Sequence, residues 1–89
     1  MNPNEEYWDA SLLLRVERRK SGANTHDVNC LVHRYRGLCE PGLRNLRPDP
    51  FRAKWIRDVL MIFANGQAST IEEAERIHYE AFKKTRTNA

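Results

Sequence analysis

The sequence predicts an all-α fold, a compact bundle of about four helices that forms a single domain over residues 1–89. Apolar residues recur at helical spacing in four segments, and residues typical of helix ends bracket each segment. No segment shows the sustained alternation of polar and apolar residues that marks a strand. Hydrophobic residues make up 40% of the 89 residues and charged residues 30%, which is typical of a globular domain.

The first predicted helix covers residues 3–20. Asn2 is a suitable N-cap, Pro3 suits the first helical position, and Glu5 follows the cap by three residues, as in a capping box. Ser21-Gly22 should end this helix. The apolar stripe expected to face the core consists of Trp8, Leu12, Leu13 and Val16.

The second predicted helix covers residues 26–36, with Asn24 or Thr25 as its cap and Gly37 as its stop. Its apolar face contains Val28, Leu31, Val32 and Tyr35. Residues 37–49 then carry two glycines and two prolines, and Pro50 follows them directly, so a continuous helix is not expected here. Long loops in small domains often carry function.

The third predicted helix covers residues 50–64, with Asp49 as cap, Pro50 at the first position and Asn65-Gly66 as the stop. It is the most apolar segment of the chain, and we therefore expect it to be the central helix. Its apolar residues are Phe51, Trp55, Ile56, Val59, Leu60, Ile62 and Phe63.

The fourth predicted helix covers residues 70–84 and opens with the capping-box sequence Ser69-Thr70-Ile71-Glu72. Its apolar stripe consists of Ile71, Ala74, Ile77, Ala81 and Phe82. Residues 85–89 are polar and predict a flexible tail.

The chain shows no feature of a membrane or secreted protein. The longest apolar run, Val59 to Ala64, is six residues, whereas a helical span needs roughly 20. The first residues are polar and acidic, unlike a signal peptide, which favours the cytoplasm. Cys30 and Cys39 are too few for a disulfide framework and are expected to be reduced thiols.

The charges at the ends of the predicted helices have a structural explanation. The first helix carries acidic residues early and Arg18, Arg19 and Lys20 late, and the fourth carries Glu72, Glu73 and Glu75 early and Lys83 and Lys84 late. Both arrangements complement the helix macrodipole. Such charges therefore indicate solvated helix faces rather than a binding site.

Residues 34–57, which we call the basic stretch, hold positive charge without such an explanation. The stretch contains seven basic residues and only two acidic ones, Glu40 and Asp49. Six of the seven are arginine, which makes bidentate contacts with phosphate and carboxylate groups. The candidate partner- or phosphate-binding residues are Arg34, Arg36, Arg44, Arg47, Arg52, Lys54 and Arg57. The alternative is that these arginines cover apolar surface and pair with the acidic start of the fourth helix.

Two further motifs bear on nucleic-acid binding. The third and fourth helices with their short turn suggest a helix-turn-helix, but the recognition helix would begin with carboxylates that repel DNA. Tyr35, Phe51 and Trp55 lie among the arginines and resemble a stacking surface, although helical spacing favours a core position for Phe51 and Trp55.

A zinc site is the third motif considered. His26, Cys30 and His33 share one face of the second helix and Cys39 follows its predicted end, which supplies four ligand types that zinc accepts. The spacing lacks a C-x-x-C knuckle. The alternative is that Cys30 is a small buried side chain and the histidines are exposed. We favour the latter and predict no metal or cofactor.

The chain lacks the sequence motifs of an enzyme: it has no nucleophile elbow, no phosphate-binding glycine loop and no HExxH. A thiol–imidazole pair of Cys30 or Cys39 with His33 or His78 is conceivable, but two cysteines and three histidines in one small domain produce such pairings by chance. We predict a small non-enzymatic accessory or regulatory protein that binds a larger protein or nucleoprotein assembly, of the type of inhibitor that mobile elements encode. The alternative is a nucleic-acid-binding module that contacts phosphates through the basic stretch. A homodimer is a further alternative.

Overall fold

The computed structural model describes residues 9–39 and 50–87. Within these ranges the chain forms four α-helices and no strand: α1 (Ala10–Arg19), α2 (Thr25–Cys39), α3 (Pro50–Ala64) and α4 (Ile71–Thr87). A short 3-10 helix, Gly22–Asn24, leads into α2. The all-α bundle predicted from the sequence is confirmed.

Helix α3 is central, as its apolar sequence predicts, because it packs against each of the other three helices. Trp55 in the first half of α3 contacts Phe82 near the end of α4, so these two helices run antiparallel. The Arg15 guanidinium of α1 donates to Asn65 Oδ1 just beyond α3, at 2.9 Å. This contact places the second half of α1 beside the end of α3.

The core lies where the apolar stripes of the helices meet around α3. Leu60 and Phe63 are fully buried there, and each such side chain stabilises the fold by roughly 1.5–3 kcal/mol. The predicted stripes of the second and third helices are largely confirmed. The buried apolar residues are Leu12, Val16, Val28, Leu31, Tyr35, Cys39, Ala53, Ile56, Val59, Leu60, Phe63, Ala68, Ile71 and Ala74.

Helix α1 begins later than its sequence predicts. Asp9 has an extended backbone (φ −143°, ψ 98°), and its carboxylate accepts the Leu12 N–H at 3.0 Å. Asp9 is therefore the N-cap, and a helix continuous from residue 3 to residue 20 is wrong. An aspartate side chain that satisfies a free N–H of the first turn competes well with helix continuation. The predicted cap at Asn2 and the predicted core residue Trp8 lie outside the described residues.

Helix α2 continues through the glycine that was expected to end it. It extends three residues beyond the predicted end, through Gly37 and Leu38 to Cys39. Cys39 is buried and Leu38 packs against the core, so the burial of these two side chains outweighs the low helix propensity of Gly37. The rest of the predicted loop, residues 40–49, is outside the described part of the chain.

The turn between α3 and α4 follows the capping signals in the sequence. The Gln67 N–H donates to the Ile62 carbonyl and the Gly66 N–H to the Phe63 carbonyl, with Gly66 at φ +80°. This pattern is a Schellman motif. At the start of α4, Thr70 Oγ1 accepts the Glu73 N–H at 3.1 Å. The capping pair is therefore Thr70 with Glu73, one residue later than Ser69 with Glu72.

Helix α4 also extends beyond its predicted end. It stays helical to Thr87, so the predicted flexible tail at 85–89 is wrong for residues 85–87, and residues 88–89 lie outside the described ranges. Among the residues that the structure describes, no helix combines the length and the apolar character that crossing a lipid bilayer requires.

Candidate functional site

In the part of the chain that the structure describes, the residues of the basic stretch differ in exposure and in their neighbours. Arg34 and Arg36 are exposed on α2, two positions apart and therefore on different sides of the helix. The basic residues of α3 also diverge: Arg52 and Lys54 are exposed, whereas Arg57 is half-buried. Arg44 and Arg47 fall in residues 40–49, outside the described ranges.

Arg34 lies in a cleft between α2 and the start of α4, which we call the α2–α4 cleft. The cleft has a volume of about 200 Å³ and an apolar floor of Leu31 and Ile71. Its polar lining residues are Asp27, Cys30, Arg34, Glu72 and Glu75. Arg34 therefore lines the same cleft as Glu72 and Glu75, two of the carboxylates expected as its counterparts, and this favours the pairing alternative over a phosphate contact.

Two basic residues of α3 also have acidic or polar neighbours. Lys54 Nζ is 2.9 Å from Asp58 Oδ2, one helical turn away. Arg57 is near the hydroxyl of Tyr35, whose ring is fully buried. Burial raises the pKa of Tyr35 and the nearby Cys39 thiol raises it further, while the charge of Arg57 lowers it. Tyr35 therefore stays neutral and belongs to the core, not to a stacking surface.

Four aromatic side chains meet where α3 packs against α4. We call them the aromatic patch: Phe51, Trp55, His78 and Phe82. The Trp55 ring lies 4.2 Å from the His78 ring and 5.1 Å from the Phe82 ring, both close to perpendicular. Phe51 lies 5.9 Å from Trp55 and 6.4 Å from Phe82, measured between ring centroids. Edge-to-face rings at these distances attract one another beyond the burial of their area.

Phe51 occupies the outer edge of the aromatic patch and is 64% exposed. The expectation that Phe51 belongs to the core is therefore wrong, and Trp55 is half-buried rather than buried. The reason is position along the helix. Phe51 lies in the first turn of α3 and meets only Trp55 and Phe82 among the described aromatic rings, so one side of its ring faces outward.

His78 is the titratable member of the patch. Burial against Trp55 lowers the pKa of His78; the Asp58 carboxylate raises it, and the Lys54 ammonium lowers it again. The net effect is a lowered pKa, which favours the neutral imidazole. His78 therefore behaves as an aromatic ring of the patch near neutral pH.

The spacing of the aromatic residues in the sequence contains a signal for this patch. Phe51 and Trp55 are four residues apart on α3, and His78 and Phe82 are four apart on α4. Two such pairs on consecutive antiparallel helices come together at one end of the helix pair. The fourth-helix stripe predicted Phe82 as core, whereas it is half-buried at the patch.

The residues weighed as zinc ligands do not converge. Cys39 lies within α2, nine residues after Cys30, which separates them by about 13.5 Å along the axis and places them on opposite sides of the helix. Cys39 is buried and Cys30 is exposed. The expectation that Cys30 is a small buried side chain is therefore wrong. Within the described ranges, no three His, Cys, Asp or Glu side chains form a group that could hold a metal ion.

Cys30 has a histidine neighbour, but not one that the sequence suggested. Its Sγ lies 3.7 Å from His26 Nε2, one helical turn earlier, and both residues are exposed. The pairings considered from the sequence, with His33 or His78, are not among the contacts of Cys30. A thiol and imidazole on an open helix face lack the sheltered setting that proton transfer requires.

The acidic start of α4 counts against a DNA-binding helix-turn-helix. The sequence already indicates this, and the structure adds that the acidic side chains are exposed. Glu72 and Glu75 are exposed at the position where a recognition helix would enter the major groove. Carboxylates there repel the phosphate backbone.

Comparisons of this chain with family models, with curated proteins and with solved structures found no match. The candidate function therefore rests on the residues and their geometry.

Proposed function

We propose that this chain is a small non-enzymatic accessory protein that docks on a larger protein through the aromatic patch. The observation that carries the proposal is the position of Phe51, a large apolar side chain that is 64% exposed beside two further half-buried rings. Aromatic side chains with one free face are enriched among the residues that dominate protein–protein binding.

The charge around the aromatic patch indicates the chemistry of the partner. Residues 51–58 contain three basic residues and one acidic residue, and residues 78–87 contain the same numbers. Both segments that form the patch are therefore net positive. A complementary partner surface is an apolar segment with acidic residues on its rim, since opposite charges at a rim accelerate association and set the register of the two surfaces.

Nucleic acid is the second candidate, and the surroundings of three described residues of the basic stretch count against it. Phosphate binding needs several cations along one surface. Here Arg34 lines a cleft together with three carboxylates, Lys54 pairs with Asp58, and Arg57 is half-buried near Tyr35. The rings of the patch suit base stacking, and the experiment below therefore includes a nucleic-acid arm.

Phe51→Ser tests the proposal, and Leu14→Ser is its matched control. Leu14 is 61% exposed on α1, and neither substitution removes a buried side chain. We expect Phe51→Ser to reduce capture of the partner from nuclease-treated extract at least tenfold, because a central aromatic contact contributes about 2 kcal/mol or more. Leu14→Ser should leave capture unchanged. Quantitative mass spectrometry of the captured protein provides the measurement.

Two results would contradict docking through the patch. In one, the two substitutions weaken capture equally. In the other, nuclease removes every captured protein while the purified chain binds a single-stranded oligonucleotide with an affinity that falls steeply with salt. The second result would favour the nucleic-acid alternative.

A further inference from the structure

Three arginines of α1 lie beside one another near the turn that follows α3. Arg15 and Arg19 are one helical turn apart and Arg18 lies between them in sequence, so the three side chains fall within an arc of about 100° around the helix. Arg18 and Arg19 are exposed and Arg15 is half-buried. We call these three residues the arginine cluster.

Two of the three guanidinium groups are held by neutral neighbours. The Arg15 guanidinium donates to Asn65 Oδ1 at 2.9 Å, which takes one of its five N–H donors. The Arg19 guanidinium lies 5.9 Å from the centre of the Phe63 ring, and a methyl group placed on Gly66 would lie 3.4 Å from one of its nitrogens. These contacts position the two groups without neutralising their charge.

The nearby carboxylates are engaged elsewhere. In the part of the chain that the structure describes, no ion pair includes a member of the arginine cluster. Glu17 binds Lys20 at 2.7 Å, on another side of α1. Glu73, at the start of α4, accepts the Ser69 N–H. The turn itself, residues 65–70, contains no charged residue.

Helix macrodipoles offset only part of this positive charge. The ends of α1 and α3 meet beside the arginine cluster, and each helix C-terminus carries about half an elementary negative charge. Three guanidinium groups therefore leave an excess of roughly two positive charges. A phosphorylated side chain carries a charge of about −1.5 to −2 at neutral pH and has three acceptor oxygens, so it suits both the charge and the donors.

We infer that the arginine cluster binds the phosphate group of a phosphorylated serine or threonine on a partner protein. Arg15 and Arg19, which are already positioned, form the base of this site, and the exposed Arg18 completes it. Arginine suits this role because its planar guanidinium makes two parallel hydrogen bonds to one phosphate, and clusters of arginine recognise phosphorylated side chains in several protein classes.

The surroundings of the cluster favour a single phosphate over nucleic acid. Single-strand binding uses exposed rings on which bases stack, whereas the ring beside Arg19, Phe63, is fully buried. The exposed ring of Phe51 lies 14 residues before Asn65, about 21 Å away along α3. Duplex binding uses cations distributed over several phosphates, whereas the cluster extends only about 6 Å along α1.

NMR titration of the full-length chain with a glycine-rich peptide that carries one phosphoserine tests the inference. The phosphopeptide should shift the side-chain Nε–H signals of all three arginines. It should bind at least about tenfold more tightly than the same peptide without phosphate, because charge-assisted hydrogen bonds to the phosphate provide the affinity.

Arg18→Gln is the test variant, and Arg36→Gln is its matched control. Arg18 is exposed, so its replacement should leave the fold intact, which circular dichroism checks. Phosphopeptide binding by Arg18→Gln should be about tenfold weaker, because one charge-assisted contact is lost. Arg36→Gln removes the same charge from an exposed position on α2 and should leave binding unchanged.

Three results would overturn the inference. The first is equal binding of the phosphorylated and unphosphorylated peptides. The second is an equal loss of binding in Arg36→Gln and Arg18→Gln, which would reflect net charge alone. The third is a single-stranded oligonucleotide that binds the arginine cluster while the phosphopeptide does not. The inference goes beyond the proposed docking function and does not depend on it, so Phe51→Ser should leave phosphopeptide binding unchanged even where it abolishes partner capture.

Discussion

His78 shows how one side chain can serve as a packing element and still respond to pH. The centroid of its ring lies 4.2 Å from that of Trp55, and the side chain is half-buried. Burial lowers its pKa below the ordinary value of 6.5, with Lys54 acting in the same direction and Asp58 against it. Protonation of His78 therefore opposes the packing of α4 on α3.

The sign of the pH dependence follows from proton uptake. In the unfolded chain His78 takes up a proton near pH 6.5, whereas in the folded chain it does so only at lower pH. Between these two pKa values the unfolded state binds more protons, so the free energy of unfolding falls as the pH is lowered. Below the folded-state pKa this loss is complete, and well above 6.5 it is absent.

We predict that His78→Gln makes the free energy of unfolding less dependent on pH below 6.5. Urea unfolding at pH 7.5, 6.5 and 5.5, followed by circular dichroism, provides the measurement. His33→Gln is the control, since His33 is an exposed imidazole on α2. Equal pH dependence in the wild type and His78→Gln would show that His78 titrates alike in both states.

Two glycines illustrate how helices are continued or ended in this fold. Gly37 lies within α2 without a positive φ, and a methyl group placed on it would meet no atom within 4 Å. Gly66 has φ +80° in the Schellman motif after α3, and an added methyl group would lie 3.4 Å from the Arg19 guanidinium. Alanine suits the first backbone conformation and is strained in the second.

We predict that alanine has opposite effects at the two glycines. Gly37→Ala should stabilise the protein by about 0.5–1 kcal/mol, because alanine loses less backbone entropy on entering a helix. Gly66→Ala should destabilise it by about 1 kcal/mol, because it requires a positive φ from a residue with a Cβ. Thermal unfolding followed by circular dichroism measures both. A destabilised Gly37→Ala protein would mean that residue 37 is not helical.

The sequence predicts a helix boundary correctly where neighbouring residues determine it, and fails where contacts with distant residues determine it. Local chemistry sets the start and end of α3, where Pro50 and Asn65-Gly66 give clear signals, and there the prediction is confirmed. At Gly37 the burial of Leu38 and Cys39 decides, and these contacts come from distant residues that a local signal does not contain. At the start of α1 the prediction took Asn2 as the cap and overlooked Asp9, whose carboxylate caps the helix in the structure.

For the molecule as a whole, the sequence predicted the central helix but not where the free surface would be. The apolar richness of α3 identified its place in the core. The exposure of Phe51 depends on how far the neighbouring helices extend along α3, which is a tertiary property. Arg34, Lys54 and Arg57 of the basic stretch have different surroundings, because a helix distributes nearby residues around its axis.

The site of partner contact is the central claim, and side-chain footprinting tests it most directly. Hydroxyl-radical labelling of the free chain and of its complex with the captured partner, read by mass spectrometry, reports the exposure of Phe51 and Leu14 in the same molecule. We predict that labelling of Phe51 falls severalfold in the complex while labelling of Leu14 is unchanged. Unchanged labelling of Phe51 together with protection of Leu14 would place the partner on α1 and contradict docking through the aromatic patch.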